Sequence, residues 1–183
     1  MSTVPVVETP RLRLRAWRAS DRDTLAALLS DPEVVRYLTG VPFTREESDA
    51  AFERRLGHWR DLGFGFWVVE RKDTGAMIGW AGLQPADHFA GWKDDVEVGW
   101  TLARPSWGLG LATEAGAASL RHGFERLGLA RIAAFRDPAN TASGHVMEKL
   151  GMEPAGFTTD DKGRRVAVRS ISCERWCACA GEA

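Results

Sequence analysis

A strand-like segment, a glycine-rich turn and a helix-like segment follow one another between Val96 and Leu127. The run VEVGWTL, Val96–Leu102, is typical of a strand, and the stretch SWGLGLATEAG, Ser106–Gly116, follows it. Glycine weakens regular structure, so Gly108 and Gly110 indicate special backbone dihedral angles or something lying close against the backbone. A helix that begins just after them has N–H groups without intrahelical acceptors, which would suit an anion.

Length and composition fit one globular domain spanning residues 1–183. The chain has 44% hydrophobic and 27% charged residues, and its net charge of -1 gives no indication of a nucleic-acid or membrane surface. No apolar run approaches the ~20 residues that span a bilayer, and the N-terminus lacks a signal-peptide core. We therefore expect a cytoplasmic protein.

Three cysteines, Cys173, Cys177 and Cys179, lie near the C-terminus. Their C-x3-C-x-C spacing has no nearby histidine to complete a zinc site, and the four histidines of the chain show no metal-ligand spacing. We expect reduced thiols in a C-terminal tail, residues 173–183, and no metal.

Hydrophobic periodicity predicts strands and helices in the order of a mixed α/β sheet. The predicted strands are Arg11–Trp17, two arms of a hairpin around a Lys72–Gly75 turn, Val96–Leu102, Ala130–Phe135 and Gly163–Ser172. Four helices are predicted. The first is capped by Ser20 with Asp23 and ended by Asp31-Pro32, and the second is capped by Thr44 with Glu47. The third carries Leu120, Phe124 and Leu127, and the fourth runs from Thr141 to Leu150 with Gly151 as its C′ residue. The last of these should turn Ala142, Val146, Met147 and Leu150 inward.

The turn itself is a candidate anion cradle. Its backbone, Leu109, Gly110, Leu111, Ala112 and Thr113, can direct several N–H groups toward phosphate oxygens. The alternative is a tight strand-to-helix turn without a ligand, because a lone G-x-G is weak evidence. A Walker loop is excluded by the absence of G-K-[ST]. A dinucleotide-binding turn is disfavoured because GLGLAT does not complete G-x-G-x-x-G and no acidic residue follows at the expected distance.

The ordered blocks ETPRLRLRAWRASD, DTGAMIGWAGL, VEVGWTL, SWGLGLATEA and DPANTASGHVMEKLGM resemble the GNAT acetyltransferases, in particular the RimJ/RimL-type branch of ribosomal-protein N-terminal acetyltransferases. The resemblance covers Glu8 to Ser172. It implies a mixed, mostly antiparallel twisted sheet with a splayed parallel strand pair, VEVGWTL and ARIAAF, flanked by helices. It also implies transfer of acetyl from acetyl-CoA to a primary amine, either the α-amine of a protein N-terminus or a small-molecule amine. A homodimer is compatible with it.

The resemblance implies how the turn binds the coenzyme. The family pattern Gln/Arg-x-x-Gly-x-Gly/Ala wraps the pyrophosphate and aligns with Trp107 through Ala112. Trp107 supplies no cation, so the amides of Leu109 through Thr113 would carry the phosphate contact. Gly110 and Ala112 would be small because the pyrophosphate lies against them, whereas Gly108 would permit the turn with Trp107 packed beneath it.

A second coenzyme element is implied at Asn140 and Ser143. Asn140 would hold the pantetheine or phosphate arm, and Ser143 would lie near the sulfur. Without the resemblance, Asn140 is better explained as a helix cap and Ser143 as a first-turn residue. Met147 occupies the position where many family members have a tyrosine that protonates the leaving thiolate, so Ser143 is the remaining candidate for that role.

Glu97 is the candidate general base. An α-amino group with a pKa of about 8 is about one-tenth neutral at pH 7, whereas an unperturbed lysine is neutral in less than about a thousandth of molecules, so a proton acceptor helps the attack. Glu97 shares one strand face with Gly99 and Thr101. The alternative is a solvent-facing residue on an edge strand. The lesser candidates are Asp94, Asp95 and Glu70. Backbone N–H groups of the same strand are candidates to polarise the acetyl carbonyl.

Aromatic side chains are candidates for an acceptor pocket, although such residues are more often part of a core. They are Phe64, Phe66, Trp67, Trp80, Trp92, Trp100 and Trp107. Trp92 is the preferred one because its loop, Ala86 to Asp95, is polar. His88 in the same loop is a second candidate for contact with the acceptor, the alternative being a solvated side chain.

Two other functions remain open at this stage. A coenzyme-binding sensor without turnover would fit the absence of a tyrosine at Met147, while Glu97 and Ser143 argue against it. A nucleotide-phosphate protein using the same turn is a third possibility.

Overall fold

The computed structural model describes residues 4–180 and the side chains of residues 4–178. The strands are β1 (Val7–Glu8), β2 (Leu12–Arg15), β3 (Phe66–Arg71), β4 (Met77–Pro85), β5 (Val96–Leu102), β6 (Arg131–Arg136), β7 (Glu153–Thr159) and β8 (Arg165–Ser172). The helices are α1 (Arg22–Leu29), α2 (Pro32–Val35), α3 (Arg45–Asp61), α4 (Leu111–Glu125), α5 (Thr141–Lys149) and α6 (Cys173–Ala180). None of the helices in these residues is long and apolar enough to cross a membrane.

The strands form one mixed sheet in the order β1-β2-β3-β4-β5-β6-β8-β7. Neighbouring strands are mostly antiparallel, and β5 and β6 are parallel, with Glu97 opposite Ala133. This confirms the predicted fold class, a mixed α/β sheet flanked by helices. The splay of the parallel pair stays a prediction.

The chain forms two compact units, and β4, β5 and α4 each begin in one unit and end in the other. The first unit comprises residues 4–82 with 100–115. Its core is apolar and contains Trp17, Leu25, Leu28, Leu29, Val34, Val35, Ala51, Phe52, Phe66, Val68 and Trp80. Arg55 of α3 lies over the Trp80 ring, 4.4 Å from its centroid, and burial lowers the pKa of this guanidinium to about 9.

The second unit comprises residues 83–99 with 116–180. Ala86, Phe89 and Val166 form a small buried cluster with Trp92 and Phe135 packed against it. The rings of Phe89 and Phe135 are stacked with their centroids 3.7 Å apart. This cluster attaches the loop between β4 and β5 to the strands β6 and β8.

Local sequence rules account for two helix ends. The Thr44 hydroxyl accepts the Glu47 N–H at 3.2 Å, and the Glu47 carboxylate accepts the Thr44 N–H at 2.7 Å, which confirms the predicted capping box of α3. Gly151 has a φ of 76°, and its N–H donates to Glu148 O at 2.9 Å. It therefore ends α5 as predicted.

Several local predictions were wrong. Ser20 does not cap α1, because a 3-10 turn, Ala19–Asp21, precedes this helix and the Asp21 carboxylate accepts the Arg18 N–H. Ala142 is exposed. Strands β1 and β7 were not predicted, because β1 has two residues and β7 is largely exposed and lacks an apolar face.

The segment predicted as a C-terminal tail contains the helix α6, Cys173–Ala180. Phe124 of α4 contacts Trp176 of this helix, with 5.9 Å between ring centroids. Cys173 and Cys177 are free thiols, as predicted, and burial raises the pKa of Cys173. The prediction for Cys179 lies outside the described side chains.

Candidate functional site

The turn before α4 presents the N-terminus of a helix. Gly108 and Gly110 have φ angles of 73° and 76°, a region that favours glycine. The Glu114 N–H is bonded to Gly110 O at 3.1 Å, so Gly110 is the residue before the first helical turn. The N–H groups of Leu111, Ala112 and Thr113 precede this bond, and they have no intrahelical acceptor. This geometry is suited to an anion.

Both glycines have a positive φ, which is by itself a reason for glycine at each position, and the pyrophosphate contact at Gly110 stays a prediction. A Cβ at Gly108 would meet nothing within 4 Å, and a Cβ at Gly110 would lie 3.5 Å from Arg11 Nη2. The positive φ at Gly110 is therefore sufficient to explain its small size without a ligand. Trp107 is 47% exposed, and its indole N–H donates to Leu102 O at 2.6 Å. Its packing beneath Gly108 stays a prediction.

A three-residue clamp holds the turn. Arg11 Nη1 donates to Leu109 O at 2.8 Å, and Arg11 Nε donates to the Glu114 carboxylate at 2.6 Å. The same carboxylate accepts the Thr9 hydroxyl at 2.7 Å and the Arg11 N–H at 2.8 Å. A cavity of about 560 Å³ lies beside Arg11, Leu109 and Leu111. The carbonyl side of the turn is therefore fixed to the chain before β2, and open space adjoins it.

Asn140 occupies the cap position of α5. Its side-chain oxygen accepts the Ser143 N–H at 3.1 Å, as the explanation by local capping predicts. Ser143 is half-buried in the first turn, and Met147, one turn further, is buried. Because a single amide oxygen makes the cap, the Asn140 NH₂ group is still a donor.

The Glu97 carboxyl is buried in the sheet. β5 lies between β4 and β6, and Glu97 is only 8% exposed, so the alternative of a solvent-facing edge residue was wrong. Gln84 Nε2 donates to Glu97 Oε1. Burial raises the pKa of Glu97 to about 8, the Gln84 hydrogen bond opposes this shift, and the negative charge of Asp87 adds to it.

The three other acidic candidates have different surroundings. Glu70 is ion-paired with Arg15 at 2.6 Å. Asp95 makes a two-pronged ion pair with Arg131, with oxygen–nitrogen distances of 2.8 and 2.9 Å. Asp94 is exposed. Glu97 is thus the candidate whose carboxyl is both buried and hydrogen-bonded to a neutral amide, an environment that favours proton exchange near neutral pH.

The structure brings His88 close to Glu97, and Trp92 packs in the aromatic cluster that includes Phe89. His88 Nε2 lies 3.9 Å from Glu97 Oε1, and its Nδ1 lies 3.5 Å from Asp87 Oδ1. Trp92 packs edge-on against Phe135, 5.6 Å between centroids. Trp92 is half-buried in the aromatic cluster of the second unit.

Among the other aromatic candidates, Phe66 and Trp80 belong to the core of the first unit. Phe66, Trp67 and Trp80 are buried, whereas Phe64 and Trp100 are half-buried. Across residues 4–180, no group of three or more His, Cys, Asp or Glu side chains is placed to hold a metal ion.

Sequence reasoning missed Gln84 and the clamp of Thr9, Arg11 and Glu114. The clamp joins residues 103 to 105 positions apart in the chain, so no local pattern indicates it. The one local signal was TPR, Thr9 to Arg11, directly before the alternating LRLR of β2.

Comparison with known proteins places these features in a family. A family model described as an acetyltransferase (GNAT) domain matches residues 11–153. The chain is 32% identical to the uncharacterized N-acetyltransferase p20 of Bacillus licheniformis, over 90% of this chain and 93% of that protein. It is 31% identical to the FsC-acetyl coenzyme A-N(2)-transacetylase of Aspergillus fumigatus, over 81% of this chain and 65% of that protein. The crystal structure of an acetyltransferase from Agrobacterium tumefaciens strain C58 superposes with a TM-score of 0.79 and 26% identity, covering 92% of this chain and 95% of that one.

The raised pKa of Glu97 predicts a pH-dependent stability difference between the wild type and Glu97→Gln. Folding lifts this pKa from 4.5 to about 8, so between these pH values the native state binds more protons than the unfolded state. The wild-type free energy of unfolding should therefore fall relative to the variant as pH rises through this window, by at most about 1.4 kcal/mol per pH unit. Urea denaturation at pH 5, 6, 7 and 8 measures the difference.

The exposed Glu125→Gln is the matched control, and its difference from the wild type should stay nearly constant over the same pH series. Parallel stability curves for the wild type and Glu97→Gln would contradict a buried carboxyl that is neutral at pH 7.

Proposed function

Because this chain belongs to the GNAT acetyltransferase family, we propose that it transfers an acetyl group from acetyl-CoA to a primary amine by direct attack within a ternary complex. The observation that carries the proposal is the buried Glu97 carboxyl, with a pKa of about 8 and an amide partner. A base with a pKa near the working pH is effective in proton transfer, and this pKa also matches that of an α-amino group, about 8.

The coenzyme would bind through backbone groups. Its pyrophosphate would rest on the amides of Leu109 through Thr113, where each favourable charge near a helix N-terminus contributes about 0.3–1 kcal/mol. Trp107 has no cationic group to assist, which makes the fixed geometry of the turn more important. The remaining donor of Asn140 would hold the pantetheine or phosphate arm while its oxygen caps α5.

The reaction requires one proton to leave the attacking amine. The amine nitrogen forms a bond to the thioester carbonyl carbon, and its proton moves to the Glu97 carboxylate directly or through water. The C–S bond then breaks, and a thiolate with a pKa of about 8.5 leaves without needing a strong acid. The Ser143 hydroxyl would donate a hydrogen bond to it. The cysteines of the chain are confined to positions 173–179, which favours direct attack over a thiol-linked intermediate.

The identity of the acceptor amine is the more specific part of the proposal. The RimJ/RimL-type resemblance allows either the α-amine of a protein N-terminus or a small-molecule amine, and the name of the Aspergillus relative describes an acetyl coenzyme A-N(2)-transacetylase. We propose a primary amine of one of these two classes, with His88 and Trp92 as candidate contacts, and a cytoplasmic protein that can act as a homodimer.

A coenzyme-binding module without turnover is the second candidate function. The observation in its favour is Met147, a buried residue without a proton donor at the position of the family tyrosine. Thiol release from acetyl-CoA in the presence of peptides with free N-termini and of small primary amines separates the two functions. A module without turnover would bind the coenzyme and release no thiol above the rate without enzyme.

We predict that acetyl-CoA stabilises the protein and that a negative charge at Ala112 prevents this. At a ligand concentration of 100 Kd the gain should be about 2.7 kcal/mol, which a thermal shift detects. Ala112→Glu should leave the ligand-free melting temperature nearly unchanged, because acidic residues are favourable in a first helical turn, and should abolish the shift by repelling phosphate. Ala112→Gln, similar in size but uncharged, is the control.

A shift with ATP or NAD but none with acetyl-CoA would contradict the coenzyme assignment. A full acetyl-CoA shift in Ala112→Glu would move the phosphate site away from this turn.

Glu97→Gln should lower turnover while leaving the affinity for acetyl-CoA nearly intact. The expected loss at pH 7 is about 10²–10⁴-fold for the removal of a general base. Wild-type kcat should rise with pH and level off above about 8, where Glu97 is ionised, and the deficit of the variant should shrink as the amine loses its proton unaided. The measurement is thiol release from pH 6 to 9, with the exposed Asp161→Asn as control. An unchanged rate across this range would remove Glu97 from the mechanism.

Arg11→Met should weaken coenzyme binding more than it weakens the fold. The substitution releases Leu109 O, so the amides of the turn are less well ordered before the ligand arrives. Arg11 is half-exposed, and ion pairs of this kind contribute at most about 1 kcal/mol to stability. Calorimetric titration should show a several-fold higher Kd for acetyl-CoA. Arg13 of β2 pairs with Glu8 and Glu70 rather than with the turn, so Arg13→Met should bind acetyl-CoA normally. Equal affinities of the two variants would contradict the role of the clamp.

A further inference from the structure

The base proposed above must lose its proton once per turnover, and its side chain is buried. Gln84 covers Oε1 of Glu97 on one side. A titratable side chain with access to solvent lies close by: Nε2 of His88 is 3.9 Å from the same oxygen, and the His88 side chain is 35% exposed. A movement of about 1 Å brings these two atoms within hydrogen-bond distance, and such contacts often tighten when substrate binds.

A second carboxylate orients the imidazole. His88 Nδ1 lies 3.5 Å from Asp87 Oδ1, and Asp87 is well exposed to water. When the Nδ1–H faces this carboxylate, the lone pair of Nε2 is directed toward Glu97. A path therefore leads from solvent to the buried carboxyl of Glu97 through the side chains of Asp87 and His88. These three residues are called the acidic relay.

The loop that carries His88 is anchored in place. The His88 ring packs on Phe89, with 4.2 Å between centroids, and Phe89 stacks on Phe135 of β6. The Ala90 N–H donates to Thr159 O at 3.0 Å, and the Thr158 hydroxyl donates to Ala90 O at 2.6 Å, which ties the loop to β7. A side chain on such a support stays close to its partner, as proton transfer requires.

We propose that His88 conducts the proton from Glu97 to solvent during each catalytic cycle, with Asp87 as the residue that positions its ring. The proton that Glu97 receives from the amine passes from Oε1 to Nε2 of neutral His88 and gives an imidazolium. That imidazolium releases one proton to water or buffer, and both Glu97 carboxylate and neutral imidazole are restored. The step rests on the proposed function, because it needs Glu97 as the base.

The test compares kcat for the wild type, His88→Gln and His145→Gln over a range of imidazole concentrations at pH 7.5. The acceptor is one identified by thiol release among peptides with free N-termini and small primary amines. His145 is exposed on α5 and provides the matched histidine substitution. We expect the wild type and His145→Gln to be independent of imidazole. His88→Gln should be about tenfold slower at low buffer and should recover as imidazole replaces the missing relay. Its KM for acetyl-CoA should change by no more than about twofold, since His88 is not among the residues proposed to hold the coenzyme.

Two further variants make the result specific. Asp87→Asn alters an exposed side chain, so the fold should tolerate it, and it should show a smaller loss with the same recovery. In a Glu97→Gln background, His88→Gln should cause no additional loss, because no proton then reaches the relay.

Several outcomes would overturn the acidic relay while leaving acetyl transfer intact. The first is a kcat of His88→Gln equal to that of the wild type at every buffer concentration, and the second is a loss of kcat that imidazole does not restore. The third is a change confined to the KM for the acceptor, which would make His88 an acceptor contact. By contrast, a Glu97→Gln enzyme with full activity, or a wild type that releases no thiol with any amine, would overturn the proposed function and the relay with it.

Discussion

The proposed chemistry depends on the desolvation of one carboxyl group, that of Glu97 in the second unit. Moving a carboxylate out of water is costly unless charges or hydrogen bonds compensate it, and Glu97 has an amide partner in Gln84. The group responds by holding its proton more tightly, which gives it a pKa of about 8. Glu70 shows the other solution in the same protein, since buried Arg15 pairs with it. One carboxylate is paired with a buried guanidinium, and the other is buried beside a neutral amide.

The turn before α4 supplies a different kind of electrostatics, made from fixed dipoles. Two glycines with positive φ fold the backbone so that amides precede the helix, and the Arg11–Glu114 pair holds the opposite, carbonyl side. Donors that are already oriented need no rearrangement when charge arrives, which is why such sites bind phosphate without a cationic side chain. Trp107 supplies no cation, so a phosphate at this turn would depend on these backbone amides.

Predictions made from local rules were the most successful. The capping box of Thr44 and Glu47 and the C′ glycine at Gly151 depend on neighbouring residues alone, so the sequence contains the whole interaction. Strand β7 was missed because its segment EPAGFTT contains proline and glycine and buries little apolar surface. It becomes a strand by pairing with β8 along its length. The inward position predicted for Ala142 was wrong because helical spacing defines the buried face only approximately.

The sequence by itself determined the α/β class, the glycine turn, the resemblance to GNAT acetyltransferases and the order of the elements other than β1, β7 and the short helices, because each depends on residues close together in the chain or on ordered motifs. It also singled out Glu97 by its odd position in an apolar strand. Only the tertiary structure decided that this carboxyl is buried, that His88 approaches it, and that Arg11 holds Leu109 across 98 positions. The physical reason is that a pKa and a preorganised turn depend on which distant segments exclude water and supply partners, and no local pattern encodes that.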